Sequence, residues 1–197
     1  MSYPELSVLI PAAGASQRLG EAKQLVRYKS GTLIQRIIDT AHSIDPREVI
    51  VVTGASARAV KDQVPASPVK WAHNPKWSNG MGSSIAAGAE MINPASSAVM
   101  ILLCDQWRLV ASDLRLMADT WQRKPDRIIC ARADGLNMPP VIFPGSFFSR
   151  LCALEGERGA RDLLKEHPGL LLTVNIENAN FDLDTQSQLN QLNNTDL

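Results

Sequence analysis

Three stretches of this chain combine residue types that can work on phosphate esters. The first is Pro11-Ala12-Ala13-Gly14-Ala15-Ser16-Gln17-Arg18-Leu19-Gly20-Glu21-Ala22-Lys23. Small side chains at Ala12, Ala13 and Gly14 let an anion come close to backbone N–H groups. Ser16 adds a hydroxyl, Arg18 a guanidinium fork suited to phosphoryl oxygens, and Lys23 a compact mobile charge. The second is Leu102-Leu103-Cys104-Asp105-Gln106, an apolar run that delivers one carboxylate to its end. One carboxylate, completed by phosphate oxygens and water, is a common way to hold Mg²⁺. The third is Phe181-Asp182-Leu183-Asp184-Thr185. Alternate residues of an extended segment face the same side, so Asp182 and Asp184 are expected to point together.

Two further blocks extend this set. In Asn79-Gly80-Met81-Gly82-Ser83-Ser84-Ile85-Ala86-Ala87-Gly88 the glycines permit tight backbone geometry. Ser83 and Ser84 then stand at a helix N-terminus, where N–H groups and hydroxyls can bind an anion or a base edge. In Glu155-Gly156-Glu157-Arg158-Gly159-Ala160-Arg161 the glycines favour a turn into a helix, from which Arg161 can reach a phosphate. Each block also has a plainer reading: a solvated loop, a capped helix, a turn-initiating Asp, a surface turn with a paired Arg. Two familiar phosphate loops are excluded by counting. Five residues separate Gly14 and Gly20, and Lys23 comes three later, which is not a Walker A loop. Gly80-Met81-Gly82 begins like GxGxxG, but Ile85 stands at the third glycine. The absent fingerprint argues against an NAD-dependent dehydrogenase. His42, His73 and His167 show no metal-ligand spacing, and Trp71 and Trp77 read as packing residues.

These residues need a scaffold that brings strand ends together. Ser7–Ala12, Glu48–Thr53, Val69–Ala72, Ala98–Leu103, Arg127–Ala131, Val141–Phe143 and Leu170–Ile176 read as strands. Thr32–Ser43, Ala55–Gln63, Met81–Met91, Ser112–Arg123 (with Ser112 as N-cap), Gly145–Leu154 and Gly159–Glu166 read as helices. Doubly apolar strands alternating with amphipathic helices imply a doubly wound α/β domain with a mostly parallel sheet. Ligands of such folds sit outside the carboxyl ends of the strands. Segment Gln186–Leu197, rich in Asn and Gln, is expected to form a short helix and a frayed tail.

Composition narrows the function classes. The chain has 197 residues, which favours a single domain spanning 1–197. Lys plus Arg and Asp plus Glu number 20 each, so no broad cationic field for nucleic acid is expected. No run approaches the ~20 apolar residues of a membrane span, and the N-terminus lacks a basic, apolar leader. The expected compartment is therefore the cytoplasm, and Cys104, Cys130 and Cys152 are expected to be reduced structural thiols.

Taken together, AAGxSxRxGxxK at Ala12–Lys23 resembles the signature loop of nucleotidyltransferases that activate a phosphate-bearing acceptor, above all the molybdenum cofactor cytidylyltransferases of the MobA-like group. The other blocks resemble that family's GMGxSL, LxDQ, PVLF, GDxGAR and DIDTP motifs, in the same order. The resemblance implies a Rossmann-like nucleotide-diphospho-sugar transferase type of fold. It implies CTP as nucleotide, because CTP-using members carry AAG where GTP-using members carry AGG; the methyl of Ala13 would narrow the base pocket. It further implies nucleotide binding by Ala12, Ala13, Gly14, Ser16, Arg18, Lys23, Gly80, Gly82 and Ser83. Arg18, Lys23 and Asp105 would be catalytic, Asp105 and Asp182 would ligate Mg²⁺, Asp184 would support them, and Gly159 and Arg161 would bind the acceptor. That acceptor would be the phosphate of molybdopterin, with a molybdoenzyme as downstream partner. Two departures stand out: Trp107-Arg108 where the family has Pro after LxDQ, and Met138-Pro139 where it has His before PVLF. They leave open another acceptor, such as a sugar 1-phosphate or methylerythritol phosphate. A nucleotide-binding chaperone that delivers the cofactor without catalysis also remains open.

Overall fold

A computed structural model describes residues 2–16, 19–64, 68–183, 185 and 188–189. Its centre is a seven-stranded sheet built from β1 (Tyr3–Ala12), β4 (Pro46–Thr53), β5 (Lys70–His73), β6 (Ala98–Ile101), β7 (Ile128–Ala133), β8 (Leu136–Pro144) and β9 (Leu171–Asn175). A separate two-stranded ribbon, β2 (Arg27–Tyr28) and β3 (Gly31–Thr32), was not expected from the sequence. The strand order is β5-β4-β1-β6-β8-β7-β9. Every sheet pairing is parallel except those of β8, which runs antiparallel to both β6 and β7. This is the single-domain, mostly parallel α/β architecture anticipated above.

Strand alternation sorts the core into two layers. Val8, Ile10, Val49, Val51 and Met100 point to one face, where they meet α1 (Leu33–His42), α2 (Ala57–Asp62) and α4 (Ala111–Arg123). Leu9, Ile50, Val52, Val99 and Phe143 point to the other, against α3 (Met81–Ala89), α5 (Phe148–Cys152) and α6 (Arg161–Glu166). Ile34, Ile37, Ile38 and Ala41 give α1 its buried stripe, and Thr32 Oγ1 accepts from Gln35 N at 3.4 Å to start it.

Three local expectations differ from the structure. Helix α4 begins at Ala111, not after Ser112, because the Asp113 carboxylate reaches back 3.0 Å to the Val110 N–H. Strand β8 is far longer than Val141–Phe143. Pro139 and Pro140 break the pattern in sequence, but the β7–β8 register shifts there, so no ladder hydrogen bond is needed from them. Helix α5 is shorter than Gly145–Leu154, its first turn being the 3₁₀ turn Gly145–Phe147. Apart from residues 188 and 189, the expected tail at 186–197 lies outside the described residues.

One buried side chain ties these layers where the site will lie. Gln106, just beyond β6, donates from Nε2 to Pro139 O at 2.6 Å and to Ala179 O at 2.8 Å. Replacing it by Leu leaves two carbonyls without that donor. We expect Gln106→Leu to lower unfolding free energy by roughly 1–3 kcal/mol in urea titration.

Candidate functional site

Strands β1 and β6 are neighbours in the sheet but distant in the chain. After β1 the chain winds outward to β4 and β5, then returns to β6 on the opposite side. Connections leaving β1 and β6 therefore diverge, and a crevice opens between their carboxyl ends. A cavity of about 680 Å³ lies there, walled by Ala13, Gly14 and Ser16 from the loop after β1, by Lys23 and Gln24, and by Cys104 after β6. Trp77, Gly80, Met81 and Ser84 close it from the α3 side, and Glu157 and Leu183 from later segments.

The loop after β1 is held from several directions. Ala13 O accepts from Ala55 N at 3.0 Å, and Gln24 Nε2 donates to Ala12 O and Gly14 O at 2.9 Å each. Ser16 adopts a left-handed φ of 53° and its Oγ accepts from Lys23 N at 3.1 Å. That bond closes the loop and aims Lys23 across the crevice. Lys23 Nζ donates to Asp105 Oδ2, joining the two strand exits through an ion pair. The Lys23 and Asp105 side chains are 24% and 8% exposed, so water screens the pair only in part. The second oxygen, Asp105 Oδ1, is buried with no hydrogen-bond partner among the described residues. A hard cation that takes its remaining ligands from phosphate oxygens and water fits this acceptor. Among the described residues no group of three or more His, Cys, Asp or Glu side chains could hold a metal without such help.

The other residues singled out in the sequence take varied places. Gly80 has φ +102° and lines the cavity. A Cβ on Gly80 would meet Gly156 O at 2.5 Å, and one on Gly82 would meet Glu155 O at 2.4 Å. Both glycines thus let α3 abut the 155–157 turn, and Gly82 N donates to Gly156 O at 2.8 Å. Ser83 Oγ accepts from Asn74 Nδ2 at 2.9 Å and lies 2.9 Å from Gly80 O, to which it donates. Gly82, Ser83 and Asp105 are not in the cavity wall itself, and neither are Gly159 and Arg161. Arg161 is the exposed first residue of α6, beside an Arg158–Asp162 ion pair at 3.7 Å. Asp182 is exposed, between Phe181 and Leu183. The Phe181 ring centre is 6.1 Å from that of Trp107, and Leu183 packs in the same cluster as Trp107, so this segment reaches the loop that carries Asp105. Arg18 and Asp184 lie outside the described residues.

Trp107 stands where the family pattern has Pro, and the structure gives the reason. Its ring makes an edge contact with Tyr28 at 5.2 Å and joins Leu19, Val26 and Leu33 in a small apolar cluster beneath the loops. Arg36 Nε donates to Trp107 O at 2.7 Å and fixes the turn. Cys104, which reads in sequence as a structural thiol, lines the cavity. Burial, with the neighbouring Asp105 carboxylate, pushes its thiol up to about 12, so it stays protonated and non-nucleophilic at neutral pH. Gln24 is a cavity residue that motif reading passed over, and Trp77, read as a packing residue, lines the cavity as well.

The MobA-like NTP transferase domain model matches residues 8–170. Nicotine blue oxidoreductase of Paenarthrobacter nicotinovorans is 30% identical, with 96% of this chain and 97% of that protein covered. The manganese complex of Rv0371c from Mycobacterium tuberculosis is 22% identical, covers 95% of this chain and 97% of its own, and superposes with a TM-score of 0.79. Molybdopterin-guanine dinucleotide biosynthesis protein A from Archaeoglobus fulgidus is 13% identical, covers 96% and 97%, and gives 0.70.

The ion pair makes its own prediction. Lys23→Met strands a buried carboxylate and should cost roughly 1–3 kcal/mol. Adding Asp105→Asn should recover part of that loss in a double-mutant cycle; additive losses would show that the two side chains do not interact.

Proposed function

The chain belongs to the MobA-like NTP transferase domain family, and on that premise we propose that it transfers CMP from CTP to a phosphate-bearing acceptor, the phosphate of molybdopterin. One observation carries this reading. A buried carboxylate, Asp105, has one oxygen held by Lys23 and the other without a partner among the described residues, beside a cavity walled by a small-residue loop. An oxygen of the acceptor phosphate attacks the α-phosphorus of CTP, the bond to the bridging oxygen breaks, and pyrophosphate leaves. An ionised phosphate needs no general base, and among the described residues no histidine lines the cavity.

The protein's part is positioning and charge neutralisation. Ala13 and Gly14 present their backbone to the nucleotide, and Ala12 anchors that loop to the sheet. Ser16 aims Lys23, and Lys23 with Arg18 balances the triphosphate and the charge that grows on the leaving group. Without ligand, Lys23 and Asp105 neutralise each other, so each is held in place before the nucleotide arrives. Mg²⁺, where bound, would be held by Asp105 with Asp182 as a second carboxylate and would neutralise phosphate oxygens. The manganese complex of the mycobacterial neighbour supports a divalent ion in this role. Gly80 lines the α3 wall with Gly82 and Ser83 behind it, and Gly159 and Arg161 would meet the acceptor. The Ala12-Ala13-Gly14 sequence supports CTP over GTP, and the molybdopterin-related neighbour supports the acceptor. Such a product would be made in the cytoplasm and passed to a molybdoenzyme.

A second reading rests on the likeness to nicotine blue oxidoreductase over nearly the whole chain. The missing GxGxxG loop argues against one type of dinucleotide site, not against redox chemistry on this fold. In that reading the same cavity holds the nucleotide part of a reductant.

Pyrophosphate release with Mg²⁺ separates these readings. We expect release with CTP plus molybdopterin, and a loss of roughly a hundredfold or more in Asp105→Asn with its thermal transition retained. Turnover with GTP alone would overturn the assignment of CTP. CTP binding without release, for molybdopterin, a sugar 1-phosphate or methylerythritol phosphate, would favour a delivery chaperone. Oxidation of NADPH without pyrophosphate release would favour the oxidoreductase.

A further inference from the structure

We infer that Gln24 is the positioning residue of the nucleotide loop: its amide turns two loop carbonyls inward and thereby orients the neighbouring N–H groups for a bound nucleotide. The inference rests on the nucleotide reading above and adds a residue to it. Gln24 is 2% exposed, belongs to the 3₁₀ turn Lys23–Leu25 and contributes to the cavity wall. Its Nε2 is bracketed by Ala12 O and Gly14 O at 2.9 Å each. An amide oxygen cannot sit between two carbonyl oxygens, so the orientation of this side chain follows from chemistry.

The peptide unit is planar and trans, so each N–H points opposite to the carbonyl of the preceding residue. With Ala12 O and Gly14 O turned to Gln24, the N–H groups of Ala13 and Ala15 point away from it, and both residues line the cavity. The intervening carbonyl, Ala13 O, is taken by Ala55 N on the far side of the loop. The carbonyls of Ala12, Ala13 and Gly14 are thus all engaged, which restrains those three peptides from flipping. Such prior orientation is what lets backbone donors bind an anion without reorganising.

A second observation separates this role from mere packing. Gln24 Oε1 is buried and has no partner among the described residues. A side chain kept only to stabilise the empty protein gains nothing from a bare buried acceptor. Methionine would fill the same volume without that penalty, so the amide is explained by its two donated bonds.

The test is equilibrium binding of CTP with Mg²⁺ by calorimetry, on the full chain. Gln24→Met removes both donors at nearly constant volume, and Gln24→Glu replaces them by acceptors at pH 8. Both should raise Kd at least tenfold. At pH 5.5 Gln24→Glu should regain part of its affinity, because a protonated carboxyl donates one hydrogen bond; Gln24→Met should not. Binding within twofold of wild type in both variants would overturn the inference, and so would equal pH responses. Amide exchange in the wild-type chain needs no variant to fold: Ala13 and Ala15 should gain protection when CTP and Mg²⁺ bind, and unchanged exchange at both would also overturn it. If wild type binds no nucleotide, the functional reading fails, which is a different result from variants that bind as wild type does.

Discussion

A carboxylate buried at the end of a strand must meet a positive charge, and that requirement organises the crevice between β1 and β6. Asp105 follows the four buried apolar residues of β6 by a short turn, and its side chain is buried there. Lys23 answers it from the other strand exit. The attraction is stronger than on a surface because little water intervenes, yet a pair alone seldom repays the desolvation of both charges. Such a pair stabilises little for what it costs. Its place is better explained by ligands that want both charges at once.

Everything around the pair keeps those charges in place. Ser16 closes the loop onto the Lys23 N–H, and Gln24 pins the loop's carbonyls. On the opposite side Gln106 straps the segment after Asp105 to β8 and to the 3₁₀ turn Glu177–Asn180. Trp107 then fills the space beneath with an aromatic cluster, and Arg36 fastens its carbonyl. Among the described residues, three buried side-chain oxygens have no hydrogen-bond partner: Gln24 Oε1, Asp105 Oδ1 and Gln106 Oε1. Native interiors rarely leave such oxygens bare, and these three belong to the two segments that flank one crevice.

How much of this was legible in the sequence depends on whether a residue acts through its own pattern or through a distant partner. The strands show as apolar runs because both faces are buried, and the switch point follows from their alternation with helices. Ala13, Gly14, Ser16, Lys23 and Asp105 could be placed near one another because each follows a strand end. Strand β8 extends well beyond the apolar run Val141–Phe143, and only pairing with β7 shows the irregularity that accommodates Pro139 and Pro140. Gln24 and Gln106 carried no local signal, since their partners, Ala12, Gly14, Pro139 and Ala179, lie outside any short window around them. Gly82 and Ser83 illustrate the converse. Their motif suggests contact with a ligand, whereas in the structure Gly82 makes room for the 155–157 turn and Ser83 is engaged by Asn74.

The family and the reaction are separate conclusions, and the chain shows why. A relative with 30% identity over almost its full length bears the name of an oxidoreductase, so shared fold and shared loop do not by themselves fix the chemistry. What discriminates is the charge at the strand ends. Hydride or electron transfer needs a reductant held flat against its acceptor, and a buried carboxylate with one bare oxygen does nothing toward that. Nucleotidyl transfer gathers negative charge at one phosphorus and on its leaving group, and it needs cations on that side with a carboxylate to hold a metal nearby. Lys23 and Asp105 form that arrangement in advance, each holding the other in the position where the reaction would use it. The pair is therefore the feature that weighs toward transfer, and its cost in desolvation is the physical reason to expect that it serves a ligand and not the fold alone.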